Sequence, residues 1–360
     1  MSREDLLSTY DYLLPNELIA REPLPRRDAS RLMVVDRAAG TVTHCTLQDL
    51  PDLLQAGDCL VLNNSRVLPA RLFGVRTATG GKWEGLYLSS TPDGLWRLIG
   101  QTRGYLRLHE TVTLINNAGE TLRLKLIEKF SDGVCHFQPS QREAAYKILQ
   151  RFGTVPLPPY LDRKQATEMD WERYQTTYAL HPGSVAAPTA GLHFTPELLE
   201  KCLVRQIGRA EVTLHVGVGT FRPVSVENLA EHQMHSEWCE LAAEPAQLLN
   251  ETRMRGGRIV AVGTTSLRTI ESAYRASQLA SPARLAVEFQ EWRGETDLFV
   301  RPPTKISSTD VLLTNFHLPK STLLMLVTAF GGLDLMLGAY QQAIEQRYRF
   351  YSYGDAMLIL

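Results

Sequence analysis

Residues 67–140 constrain the fold more than any other stretch, because they carry no apolar pattern of helical period. Six short β-rich runs follow one another there: ARLFGVR, KWEGLYL, LWRLIG, ETVTLINN, LRLKLIEKF and GVCHFQ. Gly, Asn or Asp turns separate them at close spacing. Such a run of strands without a helix is the pattern of a small antiparallel barrel or sandwich. The pattern changes on both sides. Upstream, SRLMVVDRAAGTVTHCTL alternates about Ala39-Gly40 as a hairpin, LQDLPDLL reads as a helix ending near Gly57, and DCLVLNN reads as a buried strand. Downstream, the strands RAEVTLHVG, GRIVAVG and DLFV alternate with helices such as PELLEKCLVRQ, SLRTIESAYRASQ and STLLMLVTAF. The C-terminal YRFYSYGDAMLIL returns as a strand. Alternation of this kind predicts a mixed sheet with helices on its faces. The expected fold class is α/β: residues 1–66 and 141–360 form the mixed sheet flanked by helices, and 67–140 form an inserted small antiparallel β-barrel.

Charge narrows the function classes. The 360-residue chain has a net charge of −1, so the global basic balance typical of nucleic-acid binders is absent. Between Arg66 and Gln150, however, 12 Lys and Arg face 7 Asp and Glu, a surplus of five that leaves the remainder at −6. Any polyanion contact is expected on that local surplus. Arg21, Arg26, Arg27 and Arg31 form a second concentration in a Pro-rich loop, where Arg forks suit phosphate and a solvated loop is the plainer alternative. The five cysteines are spread out and never form a CxxC pair, which points to a reducing compartment. The N-terminus lacks a signal-peptide pattern. STLLMLVTAFGGLDLMLGAY is interrupted by Gly331-Gly332 and Asp334, so a core helix pair is expected rather than a membrane span. A cytoplasmic protein is expected.

In a sheet of this kind ligands sit beyond the carboxyl ends of the strands. Three segments lie there. PGSVAAPTAGLHFTP (182–196) has neither strand nor helix period and runs into the start of a helix, so Thr189 and Gly191 are candidates for close ligand approach. Gly217, Gly219 and Thr220 follow VTLHV, and Gly263, Thr264 and Thr265 follow RIVAV; capping of the next helix is the alternative for the latter. No GxGxxG or GxxxxGK[ST] pattern is present. His193, His215 and His317 occupy loop or strand-end positions and are the candidate acids or bases, with Glu271 as the acidic candidate on the helix after GTTS. A satisfied structural histidine is the bland reading of each. HQMHSEWC (His232, His235, Cys239) has a metal-like look but no fourth ligand at suitable spacing, so no metal is expected.

Composition, periodicity and spacing point to an α/β enzyme with a basic β-insertion. The wording of the loops carries further. NNSRVLPARLFG, VPLPPYLDR, GSVAAPTAGLHFT, VTLHVGVGTF, MHSE, AVGTTSLRTIES, TNFHLPKSTLLMLV and YRFYSYGDAM occur in this order. From about Leu18 to the C-terminus, that set resembles the S-adenosylmethionine:tRNA ribosyltransferase-isomerase family of queuosine biosynthesis. The resemblance implies a monomeric enzyme with a β-barrel inserted into an α/β domain. It implies S-adenosylmethionine as co-substrate, no prosthetic group, and tRNA carrying 7-aminomethyl-7-deazaguanine at the wobble position as partner. The implied products are epoxyqueuosine-tRNA, adenine and methionine. On this basis His193 or His215 is the expected base, the three loops hold S-adenosylmethionine, and Arg26, Arg27, Arg66 and Arg71 are the expected tRNA contacts. Two competing readings remain: another S-adenosylmethionine-dependent RNA-modifying enzyme such as a methyltransferase, and a non-catalytic RNA-binding module.

Overall fold

A computed structural model describes residues 2–161, 163, 166–221, 224–280 and 288–360. The β-rich runs form strands Arg71–Arg76, Lys82–Ser90, Trp96–Thr102, Thr111–Ile115, Thr121–Lys129 and Val134–Pro139. All neighbours are antiparallel. The sixth pairing in the circuit, Val75↔Thr113 and Arg76↔Val112, closes the six strands into a barrel. Closure removes the open edges that such short strands would otherwise present. Period-two alternation sorts the side chains: Leu122, Leu124 and Leu126 point inward while Arg123 and Lys125 point out. Inside, the Trp83 indole fills space left by two glycines. A Cβ on Gly85 would lie 2.1 Å from that ring, and one on Gly100 would lie 3.0 Å from its Nε1. Phe137 packs edge-on against the same ring at 5.7 Å.

The chain divides by its internal contacts into one unit of Met1–Ser65, Gln175–His181 and Ala187–Leu360 and a second of Arg66–Tyr174 and Pro182–Ala186. The barrel lies in the second, which extends past the 67–140 expected for the insertion and includes the helix Ala145–Phe152.

The first unit is built on a nine-stranded mixed sheet. Its order is Trp292–Thr296, Glu237–Leu241, Gly208–Leu214, Cys59–Asn63, Ile259–Val262, Val311–Asn315, Ala356–Ile359, Arg31–Asp36 and Thr41–Thr46. Gly208–Leu214, Cys59–Asn63, Ile259–Val262 and Val311–Asn315 run parallel. Ala356–Ile359 runs against Val311–Asn315, and Glu237–Leu241 runs against Gly208–Leu214. The central strands are buried on both sides, which explains their continuous apolar wording. Leu60, Leu62, Val260, Val262 and Leu313 face Ala190, Phe194 and Leu198. Val61, Ile259, Ala261 and Leu312 face the other way, toward helices Ala243–Met254, Thr264–Ala280, Thr322–Gly331 and Leu333–Glu345. These are called the Phe194 face and the four-helix face. The helix Pro196–Val204, on the Phe194 face, begins with Thr195 accepting from Leu198 N at 3.1 Å and Pro196 in its first turn, a cap worth about 1 kcal/mol.

Two strand expectations shift. DLFV is not a strand; the strand is Trp292–Thr296, and Leu298, Phe299 and Val300 leave the sheet. Its cause is Arg268, which donates to the carbonyls of Thr296 and Leu298 (both 3.3 Å) and pulls the chain off the edge. Glu237–Leu241, within the metal-like HQMHSEWC, is itself a strand. Cys239 is buried there beside the helix Thr264–Ala280, with its thiol pushed up to about 12 by burial. Among the described residues no group of three or more His, Cys, Asp and Glu is arranged to hold a metal ion. No single described helix is long and apolar enough to cross a membrane. Thr322–Gly331 and Leu333–Glu345 pass that test only as a pair bent by 116°, and Leu324, Met325, Met336 and Ala339 are buried in the sheet's core.

The Trp83 pocket makes the barrel sensitive to a single methyl group. Gly85→Ala is expected to destabilise the barrel by about 1–3 kcal/mol through overpacking, with a red-shifted Trp83 emission, measured by urea unfolding followed by fluorescence.

Candidate active site

The parallel strands end at Asn63, Leu214, Val262 and Asn315, and the antiparallel strands Glu237–Leu241 and Ala356–Ile359 begin at the same rim. Topology therefore gathers Asn63–Ser65, His215–Gly219, Glu237, Gly263–Thr265, Asn315–His317 and Asp355 along one line. Asn63 and Asn64 clamp that line. Asn63 Nδ2 donates to Leu214 O (3.1 Å), and its Oδ1 accepts from Leu214 N (3.1 Å) and Ser65 N (3.0 Å). Asn64 Oδ1 accepts from Thr213 Oγ1 at 2.7 Å, and its Nδ2 donates to Glu211 at 3.0 Å.

On the Phe194 face the clamp sets Ser65 Oγ 2.8 Å from His215 Nδ1. The imidazole stacks on Trp238, centroids 5.1 Å apart and planes 20° apart. Burial, with a smaller contribution from His181, lowers the His215 pKa to about 4. The ring is therefore neutral at pH 7, and among the described residues its Nε2 has no hydrogen-bond partner.

His193 is held differently. It ends the short turn Thr189–His193 and is buried. Its Nδ1 lies 2.9 Å from Ser30 Oγ and its Nε2 lies 3.1 Å from Asn315 Nδ2. The amide donates to Nε2, so Nδ1 carries the proton and donates to Ser30, whose hydroxyl donates to Arg27 O at 3.3 Å. Burial again lowers the pKa to about 4. Asn315 Oδ1 and Thr265 Oγ1, both buried at the rim, have no partner among the described residues. Beside them Asp355 accepts from Arg31 N (3.1 Å) and Arg349 N (2.9 Å), and burial raises its pKa. Gly191 is required by packing, since a Cβ would stand 2.2 Å from Tyr178 OH. Gly263, at φ +88°, donates to Leu313 O at 2.7 Å and lies under Ala190.

The four-helix face holds a cavity of about 380 Å³. Its polar floor is the buried ion pair of Glu237 with Arg268. Glu237 Oε1 also accepts from Gly217 N at 2.8 Å. Gly219 presses on His235 so closely that a Cβ would lie 2.5 Å from His235 Cβ. His232 meets the Phe299 ring edge-on at 5.1 Å, and burial, then His235, lowers its pKa. Leu298, Val300, Leu323 and Leu326 complete an apolar wall.

Several expected residues are occupied elsewhere. His317 is buried, bonded to Thr314 Oγ1 at 2.8 Å and donating its backbone N–H to Tyr340 OH at 3.0 Å; Tyr12 OH donates to its carbonyl. Burial pushes its pKa to about 3. Glu271 accepts from Arg275 Nε (2.8 Å) and from the amides of Ser307 and Ser308 (3.0 Å each), so it anchors a loop rather than facing the cavity. Thr264 is buried at the start of Thr264–Ala280 and does not line the cavity. The Thr220 side chain lies outside the described residues. Among the arginines, Arg27 donates to Gln175 O (2.9 Å) and Leu192 O (3.1 Å), and Arg71 pairs with Glu84 at 2.6 Å. Arg26 is exposed and pairs with Asp28 at 3.1 Å; Arg66 is exposed. Ser30, Asn315, Trp238 and Arg268 also belong to these sites, and no motif in the sequence marks them. Only Arg268 left a trace, as a charge within the apolar face of SLRTIES.

A family model described as "Queuosine biosynthesis protein" matches residues 7–359. An S-adenosylmethionine:tRNA ribosyltransferase-isomerase from Thermotoga petrophila is 46% identical over 356 residues, covering 98% of this chain and 99% of its own. The enzyme of that name from Symbiobacterium thermophilum is 46% identical over 355 residues, with the same coverage. The chain belongs to the S-adenosylmethionine:tRNA ribosyltransferase-isomerase family. The crystal structure of an S-adenosylmethionine tRNA ribosyltransferase from Thermotoga maritima is similar at a TM-score of 0.53 and 36% identity, covering 98% of this chain and all of that one. In this ribosyltransferase-isomerase family member, the segments that carry the resemblance in the sequence divide between the two faces. PTAGLHF and NNS serve the Phe194 face; VGVGT, MHSE, SLRT and STLLMLV surround the cavity.

His193 makes stability depend on pH. Its folded pKa of about 4 lies below the ordinary 6.5, so between those values the unfolded chain binds a proton that the folded chain refuses. The contribution is complete above pH 6.5 and is lost as pH falls toward 4. His193→Gln is expected to flatten the loss of stability between pH 7.5 and about 4.5 by on the order of 2–3 kcal/mol, read from urea midpoints.

Proposed function

We propose that this chain transfers and isomerises the ribosyl part of S-adenosylmethionine onto 7-aminomethyl-7-deazaguanine at the tRNA wobble position, releasing adenine and methionine and leaving epoxyqueuosine. The observation that carries the reading is the cavity floored by Glu237 and Arg268, because four of the segments on which the family resemblance was read converge on it. The methionine end of the substrate is a zwitterion, and a carboxylate beside a guanidinium is complementary to it. The apolar wall suits adenine and excludes water.

The chemistry requires two proton acceptors. A sulfonium acidifies the neighbouring ribose C5′–H, and His235, which lines the cavity, is the group we assign to that proton. The attacking amine must be neutral. His215, two residues before the Gly217 that donates to Glu237, is itself kept neutral by burial, and its Nε2 has no hydrogen-bond partner among the described residues, so it is suited to take a proton from that amine. The half-exposed Trp238 ring stacked on it offers a surface for an extruded base. His193, with both ring nitrogens engaged, is assigned to positioning of the rim.

Incubation with S-adenosylmethionine and tRNA bearing the deazaguanine precursor is expected to yield adenine and methionine. S-adenosylhomocysteine would instead indicate a methyltransferase, and binding without turnover a non-catalytic RNA-binding protein. Arg268→Ala is expected to raise KM for S-adenosylmethionine by at least about tenfold, by removing the guanidinium that faces the buried Glu237 carboxylate. His215→Gln is expected to lower kcat by roughly 10²–10⁴ with little change in that KM, measured by adenine release.

A further inference from the structure

The barrel unit carries a polar groove of about 860 Å³, lined on one wall by Arg123 and Lys125 and on another by Arg142. We infer that this groove binds the phosphate backbone of a double-helical stem of the RNA substrate; the inference rests on the tRNA-modifying function proposed above.

The charge is unusually free to act. Among the described residues, carboxylates of the barrel unit are taken up by other cations: Glu84 by Arg71, Glu110 by Arg76, Glu120 and Glu143 by Arg151, and Asp170 by Arg163. Arg123, Lys125 and Arg142 make no ion pair among the described residues, and their side chains are exposed. Glu143, which also lines the groove, is held by Arg151 at 2.7 Å. Asp93 is left as the opposing charge against three cations.

Strand geometry sets the spacing. Arg123 and Lys125 are two residues apart on the outward face of Thr121–Lys129, so their Cα atoms stand about 6.7 Å apart, in a row that follows a backbone. Thr113 and Thr111 are their cross-strand partners on Thr111–Ile115, so hydroxyls rather than opposite charges lie beside them. The ordinary explanation of outward charges on a barrel is solvation alone; it does not account for same-sign groups in a concave surface with their counter-charges bound elsewhere.

The lining also selects the form of the RNA. Sites for single strands present exposed aromatic rings on which bases stack. Trp96, the aromatic residue of this groove, is 2% exposed and packed edge-on against Tyr87 at 5.2 Å. Serine, threonine and glutamine side chains with three cations suit phosphates and 2′-hydroxyls, the features by which paired RNA is recognised.

The test is the salt dependence of tRNA binding by the full chain. Replacing Arg123, Lys125 and Arg142 together by Ala should weaken binding by about tenfold or more and reduce the slope of log affinity against log salt by about 3. Lys125→Ala alone should reduce the slope by about 1, which keeps the test available if the triple variant unfolds. A short RNA duplex without an anticodon loop should compete with tRNA on the wild type. Wild-type binding with unchanged affinity and slope in the variants would overturn the groove and leave the proposed function standing. Competition by single-stranded RNA but not by the duplex would also overturn it. Failure of the wild type to bind tRNA at all would overturn both.

Discussion

The cavity depends on one buried contact, the ion pair of Glu237 with Arg268. Removing two charges from water costs several kcal/mol per ion, and attraction alone rarely offsets it. Here further hydrogen bonds support the pair: Glu237 accepts from Gly217 N, and Arg268 donates to the carbonyls of Thr296 and Leu298. These bonds shape the site. The first fixes the loop after Gly208–Leu214, and the others turn the chain off the sheet edge so that Leu298, Phe299 and Val300 become a wall. Strand, loop and helix thus share one electrostatic knot.

A second knot lies across the same rim. Asn63 and Asn64 substitute side-chain hydrogen bonds for the ladder where Cys59–Asn63 and Gly208–Leu214 run out. His215 and His193 then sit on the Phe194 face, each neutral because burial disfavours its charged form. Their difference is one of connection. His193 spends both ring nitrogens on Ser30 and Asn315, whereas His215 spends one on Ser65. Two histidines with similar pKa values therefore have different chemical capacities, and the proposed roles of positioning group and proton acceptor rest on that difference.

Much of the architecture was legible in the residues. The alternation of LRLKLIEKF and the turns between the barrel runs specify strands with an apolar inside; the non-sequential pairings that close the barrel, Trp96–Thr102 with Val134–Pro139 and Arg71–Arg76 with Thr111–Ile115, are set by tertiary structure. The apolar runs DCLVLNN and GRIVAVG specify strands buried on both faces. The misreading of DLFV shows the limit. Its composition favours a strand, but the carbonyls that a strand would pair are claimed by an arginine about thirty residues earlier. Glu271 likewise lies on the expected helix, yet its carboxylate is consumed by two loop amides from residues 307 and 308.

The sequence by itself determined the secondary-structure periods, the α/β class with an antiparallel β-barrel and, through the wording of its loops, the family. Those depend on local pattern, which each segment carries within itself. Which histidine has a free nitrogen, which arginine is buried and which loops share a cavity were decided only by tertiary structure. The physical reason is parity and topology. Alternation sends Glu237 to one side of the sheet and Trp238 to the other, and the strand order then brings Arg268 to the first and His215 to the second. Neither pairing is encoded in any single stretch of chain.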